Sequence, residues 1–290
     1  MTLCPWCKSE DTHLYLPVKD LFLTQESFCV MQCDHCGLLF TDPRPDADHI
    51  GSYYESEDYL SHQENNKGLV PRIYEKVKQV NLRNKRRMAL QGLPTGRLLD
   101  IGCGVGDFLR VVKASGWEVA GIEPSAAAQA IAAKRFGFTP LPPSAASTLA
   151  DASFDVITMW HVLEHVDDLH EQFASLQRLL KPGGRLILAL PNYQSYDAAY
   201  YKSTWAAWDV PRHLNHFNQD FLVSNLSDFG FKYIDTQRLK WDAFYISFLS
   251  ERYLGHSLPL VRCGYRGLIS NTKAHASGQY SSLVYRFKKT

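Results

Sequence analysis

The 290 residues carry 31 lysines and arginines against 30 aspartates and glutamates, so no global charge steers the chain toward nucleic acid. An apolar share of 45% suffices for one large domain or two modest ones. There is no run of eighteen apolar residues, and the opening MTLCPWCKSE lacks a leader's basic start and apolar stretch. The expectation is a cytoplasmic protein without a membrane-spanning helix.

Four of the seven cysteines fall in two pairs, Cys4-x-x-Cys7 and Cys33-x-x-Cys36. Each such turn can aim two thiolates at one point, and two turns supply the four soft ligands of a closed tetrahedral Zn2+ site. Between them HLYLPV and FCVMQC alternate like short strands. About 40 residues bury little surface, which a metal staple would offset. Residues 1–42 therefore read as a zinc ribbon with a structural ion on Cys4, Cys7, Cys33 and Cys36. Cys29 and His35 are surplus to it.

Residues 43–94 read as a linker and a helical segment. The linker holds Tyr53, Tyr54 and Tyr59, with His62 following. It either packs on the main domain or helps roof a pocket. From Lys67 to Arg87 eight basic residues face one acid, Glu75. The stretch from Val70 to about Gln91 reads as a helix, its charges mainly a solvated face, with an anionic partner as the lesser reading.

From residue 95 strand-like and helix-like segments alternate. RLLDIG is a buried strand, and GDFLRVVKASG a helix stopped by Gly116. WEVAGIEP is a strand, and SAAAQAIAAKRFG a helix that Ser125 caps. A weak strand fits near FTPL, and FDVITMW is a clear one. Leu169, Phe173, Leu176 and Leu180 mark a helix that Pro-Gly-Gly ends, and RLILALPN is the next strand. FLVSNLSDFGFKYIDTQRL adds a helix and a strand, and QYSSLVYRFKK a last strand. The predicted fold is α/β: a doubly wound, mostly parallel, seven-stranded sheet, with an insertion at 241–278. That insertion reads as a lid or substrate platform, a contact between copies, or an amphipathic surface that touches a membrane.

In such a sheet ligands bind at the carboxyl ends of the strands. Asp100, Gly102, Gly104 and Gly106 follow the first strand and Glu123 the second. Trp160 and His161 follow FDVITM, and Pro191 and Asn192 end the next strand. A dinucleotide site would use Gly-x-Gly-x-x-Gly beside a pyrophosphate. Here the spacing is Asp-x-Gly-x-Gly-x-Gly, and the aspartate is a poor neighbour for a pyrophosphate. It suits a cofactor with an ammonium and a positive sulfonium. Glu123 can accept both ribose hydroxyls in either case. S-adenosyl-L-methionine fits the whole pattern better.

Asp100 to Gly106, Glu123 and WHVLEHVDD resemble the class I S-adenosylmethionine-dependent methyltransferases over roughly residues 95–240. That resemblance implies a glycine loop under the methionine and ribose, Glu123 on the ribose diol, Asp100 on the methionyl amino end, and Trp160 and His161 on the cofactor side. It leaves the adenine contact unassigned. Across the whole chain the paired cysteines, WAAWDVPRHLNHF and DAFYISFLSERY resemble zinc-ribbon-bearing methyltransferases associated with bacterial cell-surface glycan or secondary-metabolite gene sets.

The implied activity is methyl transfer to a small-molecule, sugar or glycan-precursor acceptor, with oxygen slightly ahead of nitrogen and carbon. His161 and His165 lie four apart with Glu164 beside them, and histidine titrates near working pH. In STWAAWDVPRHLNHF, Trp205 and Trp208 can wall a pocket that holds Asp209, Arg212, His213 and His216. His213 is the favoured general base, with His161, His165 and Glu164 as the other catalytic candidates. Arg212 would grip an anionic group or pair with Asp209. A catalytic metal on His161, His165, His213 and Glu164 is not expected, because no His-Glu-x-x-His motif occurs. An RNA methyltransferase and a non-catalytic binding protein are the alternative functions. Peripheral membrane contact and a homo-oligomer remain open; a nucleic-acid partner is not expected.

Overall fold

The computed structural model describes residues 2–46, 48–54 and 69–290, with the side chains of the first helix described from residue 77 onward. Tyr59 and His62 lie outside the described residues. Among the described residues, two sheets organise the fold. The first is antiparallel: β1 (Thr12–Lys19), β2 (Ser27–Cys33) and β3 (Leu39–Asp42), extended by β8 (Asn215–His216). The N-terminal strands thus do not stand alone, since β3 pairs with a segment more than 170 residues further on. The seam is apolar as well. Trp6 stacks on His170 at 3.9 Å and meets Phe173 and Phe221 edge-on.

The main sheet is mixed, in the order β5-β4-β6-β7-β10-β9. Its strands are β4 (Arg97–Ile101), β5 (Glu118–Ile122), β6 (Phe154–Trp160), β7 (Leu180–Pro191), β9 (Phe231–Arg238) and β10 (Ser282–Lys289). The first four are parallel, and β10 runs antiparallel to both neighbours. Side chains alternate along each strand. Leu98, Val156, Ile187 and Val284 pack with α1 (Leu69–Leu90) and α2 (Asp107–Lys113). Leu99, Ile157, Leu188 and Tyr285 face α4 (Leu169–Leu179) and α6 (Gln219–Leu226). Between these lie α3 (Ala126–Phe136) and α5 (Tyr196–Tyr201); the 241–278 insertion is a helix pair, α7 (Asp242–Tyr253) and α8 (Pro259–Ser277).

The expected seventh strand is not formed among the described residues; the sheet has six. The FTPL segment makes a single parallel bridge, Leu141 to Ile122. Pro140 and Pro142 flank Leu141, so it alone there has an amide to donate. That amide reaches Gly121 O at 2.8 Å, and Leu141 O accepts from Glu123 N at 2.9 Å. Leu180 also departs from the expected helix. It is extended and already pairs with Phe154.

Candidate active site

The chain leaves β4, forms β5 on one side of it, then returns to form β6 on the other. The crevice at this reversal is where the diagnostic residues gather. Gly102, Gly104 and Gly106 all have left-handed backbone, φ 71°, 54° and 82°. A Cβ on Gly102 would lie 2.4 Å from Val162 Cγ2, whereas nothing lies within 4 Å of one on Gly104. The loop is thus packed beneath its first glycine and open above its second. Glu123, nearly buried, ties it to the next turn by accepting from Gly104 N (2.8 Å) and Ser125 N (2.9 Å).

Asp100 is 2% exposed and accepts from Thr158 Oγ1 at 2.5 Å. Burial pushes its carboxyl up to about 7, against the bond from Thr158 and the attraction of Lys85. A cation docked there would relieve that cost. Lys85 of α1 holds its ammonium 4.8 Å over the Trp160 ring, and burial lowers its pKa. In the sequence Lys85 belongs to a basic run that reads as a solvated face, so no local signal marks it out. Trp160 itself packs edge-on against Phe108, and its Nε1 is buried without a partner among the described residues.

Beyond the ends of β6 and β7 opens a cavity of about 510 Å³. Its polar lining includes Lys85, His161, Glu164, Asp209, His213 and Asp242, and its apolar lining Phe22, Ile246, Leu249 and Tyr253. His161 has φ 59° and sits between two acids, with Nε2 3.0 Å from Asp242 and Nδ1 3.4 Å from Glu164. Burial opposes its charge, but Asp242 and Glu164 outweigh burial and raise its pKa to about 9. His161 is therefore cationic near neutral pH. Asp242 opens α7, and sequence reasoning missed it because nothing local ties it to a histidine 81 positions earlier.

His165 does not share a helical face with His161. It ends a 3-10 turn, Leu163–His165, and Nδ1 lies 2.9 Å from Arg212 O and 3.0 Å from Tyr54 Oη. Burial, and the neighbouring His213, push its pKa down to about 4, so it stays neutral. His213 is 8% exposed and donates from Nδ1 to Ala207 O at 2.9 Å. That bond sets the tautomer and leaves Nε2 as the acceptor, 4.0 Å from Glu164 Oε1 and 3.9 Å from Asp209 Oδ2. Both Glu164 oxygens are buried without a hydrogen-bond partner among the described residues. His216 is a brace: Thr41 Oγ1 donates to His213 O at 2.6 Å and lies 3.2 Å from His216 Nε2.

Arg212 is 2% exposed and spent on protein partners. It bonds Asp209 (2.8 and 3.0 Å), Asp20 (2.8 Å) and Tyr53 O (3.1 Å). Of the two expected roles it takes pairing with Asp209, and adds Asp20 from the N-terminal sheet. Trp205 and Trp208 are buried in a separate apolar cluster, and neither lines the cavity.

Among the described residues, two groups could hold a metal. Cys4, Cys7, Cys33 and Cys36 converge, with Sγ separations of 3.6 Å (Cys4 to Cys36) and 3.5 Å (Cys7 to Cys33). Four thiolates about 2.3 Å from a central Zn2+ would have such edges. Cys29 and His35 are not part of the group. Glu164, His165 and His213 form the second, with ligand atoms within 4.8 Å of one another. His161 is not part of it.

A model of the methyltransferase domain matches residues 73–236, more than half of the chain. The ubiquinone biosynthesis O-methyltransferase of Paraburkholderia phymatum is 33% identical over 143 residues, which are 46% of this chain and 62% of that protein. The chain spans between 44% and 64% of the length of the first curated relatives it matches. Among solved structures, a cyclopropane synthase of Mycobacterium tuberculosis matches with a TM-score of 0.54 at 18% identity, covering 86% of this chain and 100% of that one. Phosphoethanolamine N-methyltransferase 2 of Haemonchus contortus, in complex with S-adenosyl-L-methionine, matches with a TM-score of 0.54 at 19% identity, covering 96% and 68%. These two likenesses show the shared fold.

Proposed function

The chain belongs to the class I S-adenosylmethionine-dependent methyltransferases, by its family model and by its fold, and from that premise we propose that it methylates an oxygen of a small-molecule, sugar or glycan-precursor acceptor, with His213 as general base. The observation that carries this reading is the pairing of an open glycine loop with a cation-seeking Asp100 at the strand reversal, next to a cavity lined by an imidazole whose Nδ1 is held on a backbone carbonyl. Asp100 would meet the methionyl ammonium, Glu123 the ribose diol, and Gly104 would let the cofactor approach the backbone. S-adenosylmethionine brings its methyl group already activated. What remains for the protein is to align the acceptor behind the methyl carbon and take its proton.

The three histidines then divide the work. His161, held cationic between Glu164 and Asp242, is a contact and not a base. His165 is locked on Arg212 O and supports His213. His213 Nε2 accepts the acceptor's proton, with Glu164 Oε1 4.0 Å and Asp209 Oδ2 3.9 Å away. Calorimetry with S-adenosylhomocysteine tests the cofactor half directly; no heat of binding would point to the non-catalytic alternative. Gly102→Ala is expected to weaken that binding about tenfold or more, because its methyl would collide with Val162 in a backbone conformation that disfavours alanine.

A second reading of the same cluster is favoured by Glu164, which ion-pairs with His161 at 3.4 Å but whose buried oxygens have no hydrogen-bond partner among the described residues. Glu164, His165 and His213 would hold a divalent cation, with both imidazoles already donating Nδ1 to backbone carbonyls, as metal-bound histidines do. Metal analysis of the His213→Ala protein separates the two, since only a cation site would lose metal.

Residues 1–42 we assign as a zinc ribbon, 43–94 as linker and helix, and 95–290 as the methyltransferase domain. Protein purified without chelator is expected to hold stoichiometric zinc, and Cys33→Ser to release it and lower the melting temperature. Zinc-free protein of unchanged melting temperature would remove the assignment.

A further inference from the structure

Helix α8 is built inside out. Its buried positions are Cys263, Gly267, Ser270 and Ala274, all small, repeating at helical spacing. They allow α7 to come close: a Cβ on Gly267 would meet the Phe244 ring at 2.5 Å. The large apolar residues point the other way. Leu258, Val261, Tyr265 and Leu268 follow one another at three- and four-residue intervals and are 61–67% exposed. Leu260 is 73% exposed beside them, and Leu254 adds to the face from the end of α7, whereas the exposed Tyr245 lines the cavity. Scattered exposed leucines are ordinary, but a continuous stripe on one helix marks a surface meant to be covered.

Charge indicates what covers it. From Trp241 to Gly278 the basic residues are Arg252, Arg262, Arg266 and Lys273, and the acids only Asp242 and Glu251. Both acids are committed on the inner side. Asp242 holds His161, and Glu251 is fully buried among Tyr201, His256 and Arg262. The Arg266 guanidinium lies 3.8 Å over the Tyr200 ring at the edge of the stripe. The outer face is thus apolar and aromatic, fringed by Arg252, Arg266 and Lys273 while Arg262 is paired with Glu251, and free of exposed acids, on a chain whose overall charge is only +1. A second copy suits this poorly. A two-fold contact sets a patch against itself, and here that brings cations together with no carboxylate to pair them. An anionic bilayer supplies both an apolar layer for the stripe and negative charge for its fringe.

We propose that the outer face of α7 and α8 docks on a bilayer surface that carries anionic lipid. The helix pair lies in the interfacial plane. It also gives the cavity Ile246, Leu249 and Tyr253, so the docked face and the cavity share one structural element.

The test is co-sedimentation of the full chain with vesicles of phosphatidylcholine alone, or of phosphatidylcholine with about a third phosphatidylglycerol. The Val261→Asp/Leu268→Asp double variant changes only exposed positions, so its fold should survive, which circular dichroism checks. Wild type should bind the phosphatidylglycerol vesicles, with binding weakened by salt and about tenfold or more weaker in the double variant. No binding to either vesicle, or equal binding by wild type and variant, overturns the proposal. So does light scattering that shows a wild-type dimer dissociated by the double variant, which would give the face to a second copy. The assay contains neither cofactor nor acceptor, so its failure leaves the proposed methyl transfer standing, and the reverse holds too.

Discussion

Replacing His213 with alanine is expected to lower kcat by about 10²- to 10⁴-fold, the usual worth of a general base, with the affinity for S-adenosylhomocysteine unchanged. The split follows from place. His213 lines the cavity beyond β6 and β7, whereas the cofactor contacts proposed for Gly102, Gly104, Gly106 and Glu123 cluster at the ends of β4 and β5. Its Nδ1 is already engaged with Ala207 O, so truncation removes the one remaining ring nitrogen of a residue that lines the cavity. Unaltered kcat would take His213 out of the mechanism. Loss of cofactor binding along with kcat would instead mark His213 as a structural brace.

Arg212→Ala should cost about 3–5 kcal/mol of folding stability. The guanidinium sits between Asp20, fully buried, and Asp209, and removing it strands a carboxylate with no access to water. Burial alone would raise the Asp20 carboxyl; the bonds from Arg212 and from the amides of Thr24 and Leu23 outweigh it and hold it below its ordinary 3.8. A depressed carboxyl stabilises the fold fully above its unfolded pKa, and that contribution is lost as pH falls through the folded value. Wild type should therefore lose this part of its stability only in acid below about pH 4, and the Arg212→Ala/Asp20→Asn double variant should recover part of the loss at neutral pH. Urea unfolding of the three proteins measures both. A single-variant loss under about 1 kcal/mol would show that Asp20 finds water or another donor.

This pair also shows where reading the chain alone stops. The stretch DVPRHL displays Asp209 three residues before Arg212, and a bond between them is a local inference. Asp20 is 192 residues away, in a turn that the cysteine pattern assigns to a metal-stapled unit. Nothing in either segment names the other. The same holds for Lys85 over Trp160 and for Asp242 on His161. Each partner becomes visible only when two helices close over the strand ends. The missing seventh strand is different, because its cause stood in plain view. Pro140, Pro142 and Pro143 leave FTPLPPS too few amides for a ladder.

Features that depend on neighbouring residues were open to inspection from the start. The alternation that makes strands two-faced, the three glycines that need left-handed backbone, the cap at Ser125 and the paired Cys-x-x-Cys turns all express constraints within a few residues. Chain closure decided the rest: the tautomer of His213, the charge on His161, the joining of β3 to β8 and the outward turn of the large residues on α8. The cost of a buried charge depends on what lies within a few ångströms in space, and distance along the chain carries no record of that.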